Sequence, residues 1–292
     1  MTKSIHTLIP DIYDLVGKTD GWFTEDLARE LGIDVSLKLS AHFGTLPQKP
    51  TLRLSGMGPR CPKALWHSIH TPEQAEPLPP WAKFKYAYGH LIEAMALALA
   101  KAAGHEVVGE QDELIVDGIR GHRDAVIDGY IVDVKSTSTF GFQKFKDKSI
   151  AQTDSFGYMD QLDAYLVGSA DDDLVRYKDV AYDWAIDKTL GHMCLYEHKI
   201  RRDSIIARIR TSKEVVGLAS PPACTCGTKQ EGKSGNISLD TKASYSLFKH
   251  SCFPHLRTFL YASGPVYLTR VVRTPDVPEI NKQGLIVSSF RS

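Results

Sequence analysis

The fold turns on one stretch, Gly121-His122-Arg123-Asp124-Ala125-Val126-Ile127-Asp128-Gly129-Tyr130-Ile131-Val132-Asp133-Val134-Lys135. Its apolar alternation predicts strands over 122–127 and 130–135. Asp128-Gly129 between them is a two-residue hairpin signal, because both central residues of such a turn take positive φ. Asp124 is an acid inside an otherwise strand-like run. Asp133 and Lys135 lie two apart, so their side chains leave the same face. A hairpin could therefore gather two carboxylates and an ammonium into one small volume. Desolvation and like-charge repulsion make that arrangement costly, and a compensating ion is its natural explanation. Two carboxylates with a main-chain carbonyl are hard oxygen donors, suited to Mg²⁺ or Mn²⁺ rather than zinc. Taken alone, the stretch also fits a solvated hairpin with its charges on the outer face.

Upstream, apolar residues at helical spacing predict a helix over 84–103 closed by Gly104. Gly89 and Glu93 sit one turn apart on it, and Glu93 either faces solvent or is an inward acid among alanines. Short strands are expected at 105–109 and 113–117. Downstream, Lys144, Lys146 and Lys148 alternate with Phe140, Phe142 and Phe145 in an expected loop. That mixture suits phosphate contact and base stacking, or a solvated basic loop over a small apolar cluster. A helix over 155–168 puts Tyr158, Gln161, Leu162 and Tyr165 on one face. Gln161 and Tyr165 offer an amide and a phenol to a nucleotide, or an ordinary packing face. Strands at 179–186 and 193–197 and a charged helix at 203–214 follow.

The first 50 residues predict a helical extension. One helix follows Ile9-Pro10, a second starts at Thr24 and is interrupted at Leu31-Gly32, and a third covers 35–43, with a linker at 45–50. This extension is read as a packed cap or a DNA-guiding lobe. Cys61 precedes Pro62 at an expected helix start, and 71–81 is a proline-rich loop. Residues 217–235 form an expected exposed loop carrying Cys224 and Cys226. A helical region is expected at 245–261, broken at Pro254, before an irregular tail from 271 to 292.

Composition sets outer bounds. With 292 residues, 42% hydrophobic and 24% charged, the chain reads as an ordinary globule. Formal net charge is zero, so any nucleic acid must follow a local basic groove rather than a global field. No leader pattern and no run of 18 apolar residues is present, which predicts a cytoplasmic setting with no membrane contact. Five cysteines, an odd number, point to a reducing compartment rather than a disulfide framework.

In chain order the pieces are Gly89-x-x-x-Glu93, Gly121-x-x-Asp124, Asp133-x-Lys135 and Gln161-x-x-x-Tyr165. That order, on helix, strand, strand and helix, resembles the PD-(D/E)XK nuclease superfamily, in particular its RecB-like branch of phage recombination exonucleases and CRISPR-adaptation nucleases. The resemblance covers residues 51–270 as the nuclease domain, with 1–50 as a separate extension and 271–292 as a tail. It implies an α/β fold with a central mixed β-sheet flanked by helices, a restriction-endonuclease-like αβββαβ core with a C-terminal helical segment. It implies that Asp124, Asp133 and the Val134 carbonyl ligate Mg²⁺ or Mn²⁺, with Glu93 on the metal or its water and His90 a weaker candidate beside it. Lys135 would orient the attacking water and stabilise charge on the phosphate. Gln161 and Tyr165, with Lys144 and Lys146, would bind the DNA strand. Asp128, tempting as a third acid, is read as a turn residue because Gly129 follows it.

A subset of the family carries a four-cysteine iron–sulfur cluster, one cysteine upstream and three downstream as C-x-x-C-x5-C. Cys61 and Cys252 match two of these positions, but Ala243 and Ser246 occupy the other two, so the usual cluster is lost. Cys224 and Cys226 could complete a thiolate set for an iron–sulfur cluster or zinc, or Cys61 and Cys252 could be plain packing residues. The activity implied is metal-dependent hydrolysis of linear DNA by an exonuclease of phage-type recombination or DNA degradation, in the host cytoplasm if the chain is phage-encoded. Alternatives are an endonuclease or CRISPR-adaptation-type end trimmer, and an inactive DNA-binding or partner-recruiting module. Implied partners are linear double- or single-stranded DNA, a single-strand-annealing protein and a second copy of the chain.

Overall fold

The structure is a computed structural model and describes residues 3–44 and 49–288. Most of the linker expected at 45–50, and the last four residues of the expected tail, lie outside the described residues. The chain divides into two compact units. One runs up to Gly58 and continues over Pro80–Ala207; the other takes Pro59–Pro79 and everything from Arg208 on.

The first unit is a mixed α/β layer structure. Its central sheet has five strands, β1 (Val107–Val108), β4 (Ala125–Ile127), β5 (Tyr130–Thr137), β6 (Val180–Asp187) and β7 (Met193–Lys199), adjacent in that order. β2 (Glu113–Val116) and β3 (Ile119–His122) form a separate antiparallel ribbon. The Asp128-Gly129 hairpin forms as expected: Ile127 pairs with Tyr130, and the turn residues have φ of 51° and 85°. Asp128 is a turn residue, and its carboxylate also accepts from the Glu106 amide and meets a ring nitrogen of buried His105 at 2.7 Å. β5 and β6 are parallel, with Asp133 opposite Asp183. A parallel pair needs a long crossover, and this one carries helices Thr139–Lys146 and Tyr158–Gly168.

Alternation along the strands sorts the two faces. Val132 and Val134 of β5 and Tyr182, Trp184 and Ile186 of β6 join Ile5, Leu8, Ile12, Leu97 and Ala100, from the N-terminal helix region and the Pro80–Ala102 helix, in one core. Ala185 and Tyr196 pack on the other face with Phe142, Phe145, Ile150 and Met159 of the crossover. Asp133, Lys135 and Asp183 alternate with the first core, so they share the crossover side.

Several expected elements differ. The run 122–127 is not one strand: it breaks at Arg123-Asp124, where the chain leaves the ribbon and enters the sheet. Arg123 is fully buried and ion-paired to Asp112 and Asp172, and its backbone N–H donates to Asp112 rather than to a sheet partner. Residues 25–43 form one helix, Glu25–Phe43, N-capped by Thr24, and Gly32 does not interrupt it. An isolated exposed glycine costs a helix only about 1 kcal/mol. Lys144 and Lys146 stand on a helix, not a loop, because Phe142 and Phe145 at i, i+3 bury together and Ser138 caps its start.

The second unit holds the helix Pro62–His70 and a six-stranded sheet. The strands lie in the order Ile286–Ser288, Glu279–Ile280, Arg257–Tyr261, Gly264–Arg270, Asn236–Leu239 and Thr228–Glu231, with every pairing antiparallel. The helical region expected at 245–261, the loop at 217–235 and the irregular tail from 271, which supplies two of these strands, are therefore corrected. After the single turns Thr241–Ser244 and Lys249–Cys252, the chain turns at Pro254 into a strand. Thr258 and Phe259 there pair with Tyr267 and Val266 on one side and with Ile280 and Glu279 on the other, a two-sided pairing that no helix makes. No helix among the described residues is long and apolar enough to cross a membrane.

Candidate active site

Four of the expected side chains form one hydrogen-bonded chain. Asp133 and Lys135 emerge from β5 and contact each other. The Gln161 side chain bridges them, its Nε2 donating to Asp133 Oδ1 at 2.8 Å and its Oε1 accepting from Lys135 Nζ at 3.0 Å. The same Nε2 reaches Tyr165 Oη at 2.8 Å, one helical turn on. The helix that presents Gln161 starts where two backbones cross. A Cβ on Gly157, whose φ is 82°, would lie 2.3 Å from the Gly58 Cα, and one on Gly58 would lie 2.6 Å from the Gly157 Cα. Only glycine fits either position. The Asp154 carboxylate accepts the amides of Phe156 and Gly157 just ahead of that helix and of Met159 in its first turn.

Asp124 is held at the break between β3 and β4, and its Oδ2 accepts the Val134 amide at 2.8 Å. The first acid is thus tied to the peptide between Asp133 and Lys135. Gly121, three residues earlier, lies against Leu54: a Cβ there would come within 2.7 Å of the Leu54 Cβ. Glu93 faces inward. It is buried, and its Oε1 accepts from Lys38 at 2.9 Å and Gln111 at 2.7 Å. His90 packs edge-on to His42 with centroids 5.1 Å apart, and burial lowers its pKa against the pull of Glu93.

The electrostatics are those of crowded acids. Burial, then the carboxylates of Asp133 and Glu93, push the Asp124 carboxyl well above the usual range. Burial alone would lower Lys135, but Asp133 and Asp183 outweigh it and hold the ammonium charged. Lys135 Nζ also lies 4.4 Å from the Tyr158 ring centre. The phenol of Tyr165 is pushed up by burial and by Asp133, so it stays a neutral hydroxyl.

Sequence reasoning missed three residues. Lys38 comes from the Glu25–Phe43 helix, and Gln111 from the turn before β2; neither carries a local signal. Asp183 does: it is an acid in the apolar run Val180-Ala181-Tyr182-Asp183-Trp184-Ala185-Ile186. It is fully buried, and neither carboxylate oxygen has a hydrogen-bond partner among the described residues. Burial pushes it well above the usual range, opposed by Lys135. Lys144 and Lys146 are placed otherwise: Lys144 Nζ lies 5.0 Å from the Phe140 ring centre. Burial pushes the Cys194 thiol of β7 up to about 11, and Lys146 opposes it.

The acids fit a divalent cation. Lys38 shows the demand: its ammonium is drawn to Glu93 and Asp34 and is held charged, against burial, by Glu93, Asp34 and Asp124. A pocket that recruits an ammonium with hard carboxylate oxygens has the donors that Mg²⁺ or Mn²⁺ uses.

Neither a protein-family model nor a curated protein matches the chain. Among solved structures, the crystal structure of SSO0001 is similar over 76% of this chain and 95% of that one, at 17% identity and a TM-score of 0.44. An alkaline exonuclease (LHK-Exo) from Laribacter hongkongensis is similar over 71% of this chain and 90% of its own, at 14% identity and a TM-score of 0.32. A phage-related exonuclease from Haemophilus somnus 129PT is similar over 70% and 89%, at 11% identity and a TM-score of 0.30. At such distances the chemistry must be argued from the side chains of the site itself.

Proposed function

We propose that this chain is a metal-dependent deoxyribonuclease that hydrolyses phosphodiester bonds of linear DNA from an end, in recombination or DNA degradation of the phage type. The observation that carries this reading is the convergence of Asp124, Asp133, Lys135 and Gln161, from three separate elements, with Glu93 beside Asp124 through their charges.

Asp124, Asp133 and Glu93 would hold Mg²⁺ or Mn²⁺, with the Val134 carbonyl as a further donor. The ion would supply Lewis acidity toward the phosphoryl oxygen and a lowered pKa for water near neutral pH. The chain's own contribution is orientation and charge. Lys135, kept protonated by Asp133 and Asp183, places a positive charge where the pentacoordinate phosphorane gathers negative charge. Its ammonium can also orient a water for in-line attack. Gln161 fixes the relative positions of Asp133 and Lys135, so neither must reorganise during the reaction. Tyr165, as a neutral phenol that already accepts from Gln161, keeps its own O–H to donate to a phosphate or base. Keeping so many charges out of water destabilises the fold, which supports turnover over a binding-only role.

The deciding experiment incubates matched linear and covalently closed circular duplexes with Mg²⁺, Mn²⁺ or chelator, alongside Asp133→Ala. Metal-dependent loss of the linear substrate alone, absent in the variant, is expected. Nicking of the circle would make the enzyme an endonuclease. Binding without cleavage in either metal would leave a DNA-binding module.

A further inference from the structure

The second unit contains a cluster that the nuclease reading does not use. Cys61 caps the start of the Pro62–His70 helix, Cys224 and Cys226 precede the Thr228–Glu231 strand, and Cys252 ends the Lys249–Cys252 turn. Their four Sγ atoms all lie within 4.8 Å of one another. Cys61 Sγ is 3.7 Å from both Cys224 Sγ and Cys252 Sγ, and all the cysteines are free. Ala64, Ala75, Leu247, Phe248 and Phe253 pack around them. Cys194, the fifth cysteine, belongs to the other unit's core. Ala243 is buried in a neighbouring apolar cluster with Leu239 and Leu256.

Two features separate this cluster from cysteines that merely pack. Main-chain amides point at the sulfurs: Thr225 N–H donates to Cys61 Sγ and Cys226 N–H to Cys224 Sγ, each at 3.4 Å. Such bonds stabilise negative charge on sulfur, which a buried neutral thiol does not need. The spacing is also specific. A tetrahedral ion with metal–sulfur bonds of about 2.3 Å sets its sulfurs about 3.8 Å apart. Two of the six separations, at 3.7 Å, match that edge, and all six lie within 4.8 Å, close enough for one ion to touch every sulfur. An iron–sulfur cluster interposes several iron and sulfide atoms between its thiolates and spreads them wider.

We propose that Cys61, Cys224, Cys226 and Cys252 bind a single zinc ion as a closed four-thiolate structural site. All four coordination positions are protein sulfur, so the ion has no place for substrate and its role is to hold the fold. It joins partners 163 and 191 residues apart in sequence and fastens the 59–79 segment to the C-terminal part of its unit. The site is separate from the carboxylate centre in donor type and in residues.

The test is the metal content of the full chain purified under reducing conditions without chelator. One zinc per chain is expected, colourless in the visible range, released in step with titration of thiols by a mercurial and read with a zinc indicator. Asp133→Ala and Cys194→Ser should keep that zinc, whereas Cys226→Ser should lower it about tenfold or more. Iron with acid-labile sulfide, a disulfide among the four cysteines, or a metal-free protein whose thiols react freely when folded would each overturn the proposal. So would zinc that disappears with Asp133→Ala and stays with Cys226→Ser. The wild-type measurement decides the matter even if Cys226→Ser does not fold.

Discussion

At the scale of single residues, Lys135 and Asp183 make opposed demands. Lys135→Ala should lower single-turnover cleavage of linear DNA by about 10²- to 10⁴-fold while leaving binding largely intact. Unchanged cleavage would show that the site is misassigned. Asp183 is buried without a hydrogen-bond partner among the described residues, and its folded-state pKa lies above the unfolded value near 3.8. The folded state therefore binds the proton more tightly, and the cost of ionising Asp183 grows as pH rises above about 4. Asp183→Asn should raise the Tm at pH 8 more than at pH 4; an equal or negative shift at both would contradict that origin. Asp133 and Lys135 were legible because a strand's period of two needs no tertiary knowledge. Asp183 was visible as an acid in an apolar run, but its place opposite Asp133 depends on the β5–β6 register, which no local pattern encodes.

At the scale of elements, two helices set the geometry. The Glu25–Phe43 helix puts Lys38 on Glu93, where an ammonium would compete with the proposed divalent cation. Lys38→Met should tighten Mn²⁺ binding by about tenfold in calorimetric titration; unaltered or weaker affinity would show that Lys38 does not compete. The Tyr158–Gly168 helix is anchored to β7 through Asp163, which takes His198 at 2.6 Å and Arg201 at 2.8 Å. Burial opposes ionisation of Asp163, but His198 and Arg201 prevail and hold its pKa below 3.8. The anchor therefore stabilises above that unfolded value and is lost as pH falls through the folded one. Asp163→Asn should cost about 3 kcal/mol at pH 7 in denaturant unfolding, with the deficit shrinking in acid. Helix Pro80–Ala102 was readable because its alanines and leucines keep one period. The break at Arg123-Asp124 was not, since it follows from ion pairs to Asp112 and Asp172, which approach only when the unit folds. The strand Arg257–Tyr261 was hidden for a similar reason: its partners on both sides follow it in the chain.

At the scale of the molecule, a formal net charge of zero leaves the proposed DNA binding to a small number of local contacts. The slope of log affinity against log salt should then be shallow, about −3 to −5. A slope near zero would exclude phosphate contacts, and one near −10 would need a basic surface that this composition does not supply. The interleaved course of the chain has a consequence for its biosynthesis. Cys61 leaves the ribosome 163 residues before Cys224. At about 5–20 residues per second, the nascent Pro62–His70 helix waits roughly 10 to 30 s for its partners, while the intervening segments of the first unit emerge. During that interval an unpaired thiol at Cys61 is open to the wrong metal, to oxidation, or to another chain. Maturation of this protein should depend on the reducing power and zinc supply of the cell that translates it, even if the proposed catalysis depends on neither.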